Sequence, residues 1–245
     1  MLRSYGAKMI VHAEDTTANE RAPAPPGGRY ADFLASRPRG AENVAIAHLI
    51  EAARHTGAAV HLLHLSSSDA VPMLRTARRE RIQITAETCP YHVVFEAEAI
   101  ADGSTQFKCC RPIRQADNRE ALWSALARGD IDCIVSDHSP CTIEVKRLDS
   151  GDFGVAWGGI SSLQLGLPAV RTEARQRGHT LVDFVCGMAE RPALIAGLQH
   201  KGQIERGYHA DFAVFAPDDA FVVDAAPAPP QSHHPTAEQH GRGRS

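Results

Sequence analysis

The chain contains 245 residues, 43% of them apolar and 22% charged, and its formal net charge is −3, so neither a nucleic-acid-binding surface nor an acidic solvating tail is indicated. Its apolar stretches are too short to cross a bilayer, and the N-terminus lacks a signal-peptide pattern. We therefore predict a cytoplasmic protein that binds neither nucleic acid nor membranes, folded as one large α/β domain or two small ones.

Four short apolar runs predict buried β-strands. They are "AKMIVHA" at 7–13, "AAVHLLHL" at 58–65, "IQITAET" at 82–88 and "IDCIVSD" at 131–137. Continuous apolar runs are typical of parallel strands that helices cover on both faces, whereas half-exposed antiparallel strands alternate.

Helices are predicted between these strands, at 41–55, 68–80 and 117–130. The first places Val44, Ala47, His48 and Ile50 at roughly helical spacing. The second has a candidate N-cap in Ser68 and a proline in its first turns, and the third stops at Gly129. Strands and helices therefore alternate, which predicts right-handed βαβ units and a parallel sheet.

The chain changes character after the fourth strand. A long helix is predicted near 159–177, and one or two more between 181 and 197. The segment 201–219, "KGQIERGYHADFAVFAPDD", predicts a turn and a strand outside the βα pattern. From about Ala225 the sequence is rich in proline, histidine and polar residues, which predicts a disordered tail.

Three of the predicted strands end in a potential metal ligand: His12, His64 and Asp137. A single histidine at such a position is most often a hydrogen-bonded core or loop residue. Three such endings gather at one edge of a parallel sheet, where α/β barrels carry their chemistry, and imidazole with carboxylate suits zinc. His61 shares a strand with His64 but points to the opposite face. Glu87 could face the same cavity or pair with an arginine.

The six cysteines form no Cys-x-x-Cys pair, which indicates reduced thiols rather than a disulfide framework; they are Cys89, Cys109, Cys110, Cys133, Cys141 and Cys186. Cys109 and Cys110 are adjacent in the long connection after the third strand. Because no second cysteine pair exists to complete a metal site, we interpret them as part of a loop that shapes a pocket.

Several blocks of the chain together resemble the second half of the allantoinases, a branch of the cyclic amidohydrolases. The blocks are "MIVHAED", "HLLHLSS", "ITAETCP", "FKCCRPIR", "GDIDCIVSDHSPC" and "AWGGISSLQLGLP". The resemblance runs from about residue 5 to 224. Within the branch, "SDHSPC" followed by Lys146 and "WGGI" favours the allantoinases over the dihydropyrimidinases, hydantoinases and dihydroorotases.

The resemblance implies strands five to eight of a (β/α)8 barrel and hydrolysis of the hydantoin ring of allantoin to allantoate. It also implies a binuclear metal centre, usually Zn²⁺, with Mn²⁺ or Co²⁺ possible. By this comparison His12, His64 and Asp137 are metal ligands, and Asp137 is also the catalytic base that becomes a general acid. The loop at Cys109–Cys110 and the backbone at Gly158–Gly159 would bind the substrate. The family also implies a homotetramer.

Other family features are missing. The sequence contains no His-x-His pair, and its four lysines, Lys8, Lys108, Lys146 and Lys201, do not match the lysine that the family places on strand four. We therefore expect a partial barrel at 1–200, a remnant of a composite β-sandwich domain at 201–224 and a disordered tail at 225–245. Such a chain would be inactive alone, and could instead be a non-catalytic remnant or a partner subunit.

Two local departures lie near the expected site. The family usually has Cys-Pro-His-Tyr where this chain has Cys-Pro-Tyr91-His92, and it tends to have a proline where Arg111 stands. Either change could disturb the pocket.

Overall fold

The computed structural model of the chain describes residues 6–24 and 27–223. It contains one parallel four-stranded sheet, which confirms the predicted α/β architecture. The strands are β1 (Lys8–Val11), β2 (Ala59–Leu62), β3 (Ile84–Thr88) and β4 (Cys133–Ile134). Each lies within a predicted run. Their order in the sheet follows the chain, and within the described residues the outer edges of β1 and β4 pair with no further strand.

Ten α-helices connect and follow the strands in the described part of the chain. They are α1 (Thr16–Arg21), α2 (Tyr30–Ala35), α3 (Arg39–Thr56), α4 (Val71–Arg79), α5 (Pro90–Val94), α6 (Ala116–Ala127), α7 (Ile143–Lys146), α8 (Leu163–Gln176), α9 (Leu181–Val185) and α10 (Arg191–Ile195). Not one of these described helices has the length and apolarity needed to cross a membrane.

One detail of the predicted helices is wrong, and the buried face of α3 differs from the spacing noted in the sequence. Ser68 does not cap α4, because it begins a short 3₁₀ turn and α4 follows with Pro72 in its first turn. The buried face of α3 is formed by Ala41, Glu42, Ile46, Ile50 and Ala53, whereas Val44, Ala47 and His48 are exposed. The predicted end of α6 is confirmed, since Gly129 follows it in the left-handed region with φ of 71°.

The core has two parts. The larger packs the sheet against the long helices, with Ile46, Val60, Leu74, Leu122 and Val170 nearly fully buried among them. The smaller part is aromatic and lies under the loops: it is built around Tyr30, Phe33, Phe95, Phe107 and Phe153.

The aromatic cluster fixes the loops that follow β3 and β4. The rings of Phe33 and Phe153 are stacked with centroids 5.5 Å apart, and the Tyr30 ring packs edge-on against Phe153. The Tyr30 hydroxyl donates a hydrogen bond of 2.9 Å to the carbonyl of Ile113. These contacts hold the segment around Cys109 and Arg111 against the sheet.

The strand predicted within 201–219 does not form. Residues 199–223 contain turns but no helix or strand, and apolar side chains such as Ile204 and Val214 are about nine-tenths exposed or more. The domain boundaries at 200 and 224 stay a prediction. The tail predicted at 225–245 lies outside the described residues.

Candidate active site at the carboxyl edge of the sheet

Two of the predicted ligands, His12 and His64, lie side by side. His12 directly follows β1 and His64 comes two residues after β2, and the register pairs Val11 with Leu62, so the two strands end level. Nδ1 of His12 lies 2.5 Å from Nε2 of His64, and the ring centroids are 4.6 Å apart. The parallel sheet therefore brings the two imidazoles together, as the strand-end pattern predicts.

His64 is the more strongly perturbed of the two. It is buried, and Nη1 of Arg111 contacts both of its ring nitrogens, at 2.9 Å from Nε2 and more closely at Nδ1. Burial, reinforced by the positive charge of Arg111, lowers the pKa of His64 to about 3. The imidazole is therefore neutral at physiological pH.

Asp137 follows β4 and its backbone adopts a positive φ of 40°. The hydroxyl of Tyr91, from α5, donates a short hydrogen bond to its carboxylate. Burial raises the pKa of Asp137, while the Tyr91 bond and the charges of His12 and Arg111 act in the opposite direction. A partly buried carboxyl with an elevated pKa, held by one donor, can accept and return a proton.

The arrangement of the three predicted ligands determines whether they could hold a metal ion. Among the described residues, no group of three or more His, Cys, Asp or Glu side chains is arranged to hold a metal ion. Imidazole and carboxylate are suitable donors, but Asp137 is bonded to Tyr91 and the Arg111 guanidinium lies against His64. In the described residues, these three side chains alone are therefore not arranged as a metal site. Their role as ligands stays a prediction.

The four predicted substrate-binding residues lie together. Gly159 N donates to the carbonyl of Lys108 at 2.9 Å, and the Cys110 sulfur lies 3.7 Å from the Gly158 oxygen. A Cβ on Gly158 would come within 2.9 Å of that sulfur, so a larger residue there would displace the Cys110 side chain. Cys109, however, is buried with its thiol on the carbonyl of Arg111. Only its backbone could face a substrate.

Lys146, at the end of α7, joins these loops. Its Nζ donates to the carbonyls of Lys108 at 2.9 Å, Trp157 at 3.2 Å and Gly159 more closely. The side chain is 2% exposed. One ammonium group therefore links α7, the loop after β3 and the 157–159 segment.

His61 and Glu87 pair with each other. His61 Nε2 lies 2.8 Å from Glu87 Oε2, and its Nδ1 lies 2.8 Å from Thr85 Oγ1. Glu87 therefore pairs with a histidine and not with an arginine, which was one of the two alternatives that its position in the sequence leaves open. This buried pair supports the sheet beside the site, and His61 is not part of the His12–His64 contact.

Three functional contacts were not predicted: Arg111 on His64, Tyr91 on Asp137 and Lys146 on three carbonyls. The sequence did carry a signal for the first two, because both arginine and tyrosine stand where the resembled family has other residues. The exchange also affects His92, which is fully buried and has no hydrogen-bond partner for either ring nitrogen within the described residues. Burial lowers its pKa well below the ordinary value, so this ring is neutral.

Comparison with known proteins gives relatives along nearly the whole chain. Residues 2–233 match the amidohydrolase family. The chain is 54% identical over 225 residues to an allantoinase of Streptomyces avermitilis, covering 92% of this chain and 50% of that protein. It is 44% identical to an allantoinase of Saccharomyces cerevisiae, covering 88% and 47%. The chain thus spans about half the length of the curated relatives it matches.

Solved structures agree. The fold is similar to an L-hydantoinase (dihydropyrimidinase) from Arthrobacter aurescens, with a TM-score of 0.77 at 27% identity, covering 85% of this chain and 48% of that one. A D-hydantoinase from a Thermus species gives 0.76 at 25% identity. The four-stranded parallel sheet and this coverage agree with a partial barrel, as the sequence predicts.

Proposed function

Because this chain belongs to the amidohydrolase family, we propose that it is half of a cyclic-amide hydrolase whose substrate is allantoin. The observation that carries the proposal is the meeting of His12, His64 and the loop of Asp137 at one edge of the sheet, beside the Cys110–Gly158 wall. The substrate class follows from the allantoinases that the chain resembles at 54% and 44% identity.

In this proposal Asp137 moves the proton. Its carboxylate takes a proton from the attacking water, whose oxygen bonds to the ring carbonyl carbon, and returns it to the ring nitrogen as the C–N bond breaks. The water's second proton stays on the new carboxyl group and is then released to solvent, so the ring and one water give a carboxylate and one proton, and atoms and charge balance. Tyr91 holds the Asp137 carboxylate in place by its hydrogen bond.

The substrate wall comes from the loops that Lys146 joins. Backbone groups at Cys109–Cys110 and Gly158–Gly159 are the proposed partners of the amide and carbonyl groups of a hydantoin ring. The Gly159 amide and carbonyl already bond to Lys108 and Lys146, so the other backbone groups of these segments would serve. Close packing of Gly158 against Cys110 keeps the two backbones within reach of one ring.

Amidohydrolases are generally metal-dependent. We propose that His12, His64 and Asp137 supply part of the ligand set of a Zn²⁺ centre, with Mn²⁺ and Co²⁺ as alternatives, and that ligands beyond the described residues complete it. The proposed assembly is the homotetramer of a complete enzyme. The isolated chain is expected to have no appreciable activity, because within the described residues the three ligands alone do not complete a site of the precision that catalysis requires.

The contact of Arg111 with His64 favours a second candidate, a non-catalytic partner subunit. A permanent cation on one ligand is compatible with a chain that supports assembly and leaves the chemistry to another subunit.

A complementation assay tests the proposal. The purified chain is mixed with the part of the Streptomyces avermitilis allantoinase that the alignment leaves out, and allantoate formation is measured with metal content. We expect turnover only in the mixture and its loss with Asp137→Asn. A complex that forms but does not turn over allantoin would instead support the second candidate, in which this chain is a non-catalytic partner subunit. Preference for dihydrouracil or dihydroorotate would refute the substrate.

A further inference from the structure

Arg111 is buried in an unusual position. Only 7% of the residue is exposed, and Nη1 contacts both ring nitrogens of His64. Its Nε lies 3.7 Å from Oε1 of Glu42, a buried carboxylate. Within the described residues, Nε and Nη2 have no hydrogen-bond partner. A buried guanidinium with so few partners is held mainly by its neighbours' packing and by Glu42.

The backbone of Arg111 is anchored as well. The Cys109 thiol donates to the Arg111 carbonyl at 2.9 Å, and Pro112 restricts the residue before it. Glu42 is itself fixed, since it accepts hydrogen bonds from Ser66 N at 2.9 Å and from Ser67 N at 2.8 Å. The side chain is therefore confined between a fixed carboxylate and His64.

A guanidinium and a divalent cation cannot share this position. Both bind the imidazole through the same nitrogen lone pair, and arginine stays protonated at every accessible pH. Two positive charges at contact distance from one buried ring repel strongly in a medium of low dielectric constant.

We propose that the Arg111 guanidinium occupies the metal-facing side of His64, and that His64 takes a divalent cation only after Arg111 is displaced. Residue 111 thus determines whether this chain carries a metal. The inference rests on the assignment of His64 as a ligand in the proposed function. It identifies the ligand as a divalent transition metal, whose access depends on one side chain of the loop after β3.

Cobalt titration of the full chain tests this inference, because Co²⁺ bound to imidazole gives visible absorption bands that need no enzymatic activity. The proteins are wild type, Arg111→Ala, and Arg111→Met, which keeps most of the aliphatic stem should the alanine variant fail to fold. Each protein is compared with a variant that also carries His64→Asn. This comparison distinguishes binding at His64 from binding by the adjacent histidines His233 and His234 in the C-terminal part of the sequence.

We expect wild type to show no His64-dependent binding. Both neutral variants should bind at least about tenfold more tightly, because the repulsion between two cations at one buried ring is removed. Arg111→Lys should stay weak because it retains the charge. Arg171→Ala is the matched control and should behave as wild type. Arg171 lies on α8, and two of its buried side-chain nitrogens also lack a hydrogen-bond partner among the described residues.

Equal His64-dependent binding by wild type and Arg111→Ala would overturn the inference while leaving His64 as a ligand. Binding that is absent or independent of His64 in both neutral variants, with their folds intact by circular dichroism, would also overturn it. That result would contradict the ligand assignment, yet leave allantoin turnover to be decided by the complementation assay.

Discussion

Replacement of Lys146 by methionine removes one ammonium group while keeping the apolar stem. In the wild type this group donates to three backbone carbonyls, those of Lys108, Trp157 and Gly159. Methionine has no donor, so all three carbonyls lose a partner in a region where Lys146 itself is 2% exposed. The perturbation therefore acts on the joint between the loop after β3 and the 157–159 segment.

The magnitude follows from two opposing effects. A hydrogen bond from a charged donor contributes roughly 1.5–3 kcal/mol, so three bonds contribute roughly 5–9 kcal/mol before other costs. Burial lowers the pKa of Lys146 from 10.5 to about 8, and such a shift corresponds to about 3 kcal/mol that the charged form costs in the folded state. The expected loss of unfolding free energy at pH 7 is therefore about 2–6 kcal/mol.

Urea unfolding measures the stability, and alkylation of the native protein locates the change. Cys109 is buried on the joined loop, so it should become reactive in Lys146→Met. Cys89 and Cys133 are buried beside and within the sheet and should stay protected. Lys201→Met, which removes an exposed lysine bonded to Asp211, is the control and should change neither quantity. A Lys146→Met protein with wild-type stability and a protected Cys109 would refute this reasoning.

Three further predictions concern the same region and α3. Between pH 8 and 10.5 the unfolding free energy of wild type should rise relative to that of Lys146→Met, because the unfolded lysine holds a proton that the folded one has released. Urea-unfolding free energies that change with pH in parallel for the two proteins would contradict this. Glu42→Ala should lose about 3 kcal/mol, since the donors of residues 66–67 are left buried and unpaired; a loss below about 0.5 kcal/mol would show that water replaces them. Gly159→Ala should lose roughly 1–3 kcal/mol, because its Cβ would lie 2.6 Å from a backbone oxygen of the loop after β4. Gly40→Ala, with no neighbour within 4 Å, is the control for the glycine change and should be neutral or stabilising in thermal unfolding.

The sheet was predictable because its strands are short, continuously apolar and separated by helices. Each apolar run contains a strand, and parallel pairing needs only the right-handed connections that such a sequence favours. The buried face of α3 was not predictable in the same way. Its sequence is rich in alanine, which fits either face, and its buried face includes Glu42, a residue type that is normally exposed.

The strand-end pattern predicted that His12 and His64 would lie near one another, but not the contacts around them. The two imidazoles meet because β1 and β2, consecutive strands of a βαβ unit, pair side by side and end level. Arg111 reaches His64 across 47 residues, and Tyr91 reaches Asp137 across 46. Such contacts depend on how the loops fold back over the sheet, which apolar periodicity does not encode.

Family membership and the chemistry of the site are separate properties in this chain. The chain is 54% identical over 225 residues to an allantoinase, and its fold is similar to those of solved hydantoinases. Two departures from the family's usual residues nevertheless act directly on predicted ligands. At residue 111 a guanidinium contacts His64, and at 91–92 a hydroxyl bonds to Asp137 while the neighbouring imidazole is buried without a partner. A buried unpaired imidazole costs free energy, and the positive charge of Arg111 beside His64 repels a second cation at that ring. Under the proposed ligand assignment, the Arg111 contact therefore opposes metal binding at His64 while the fold that defines the family is kept.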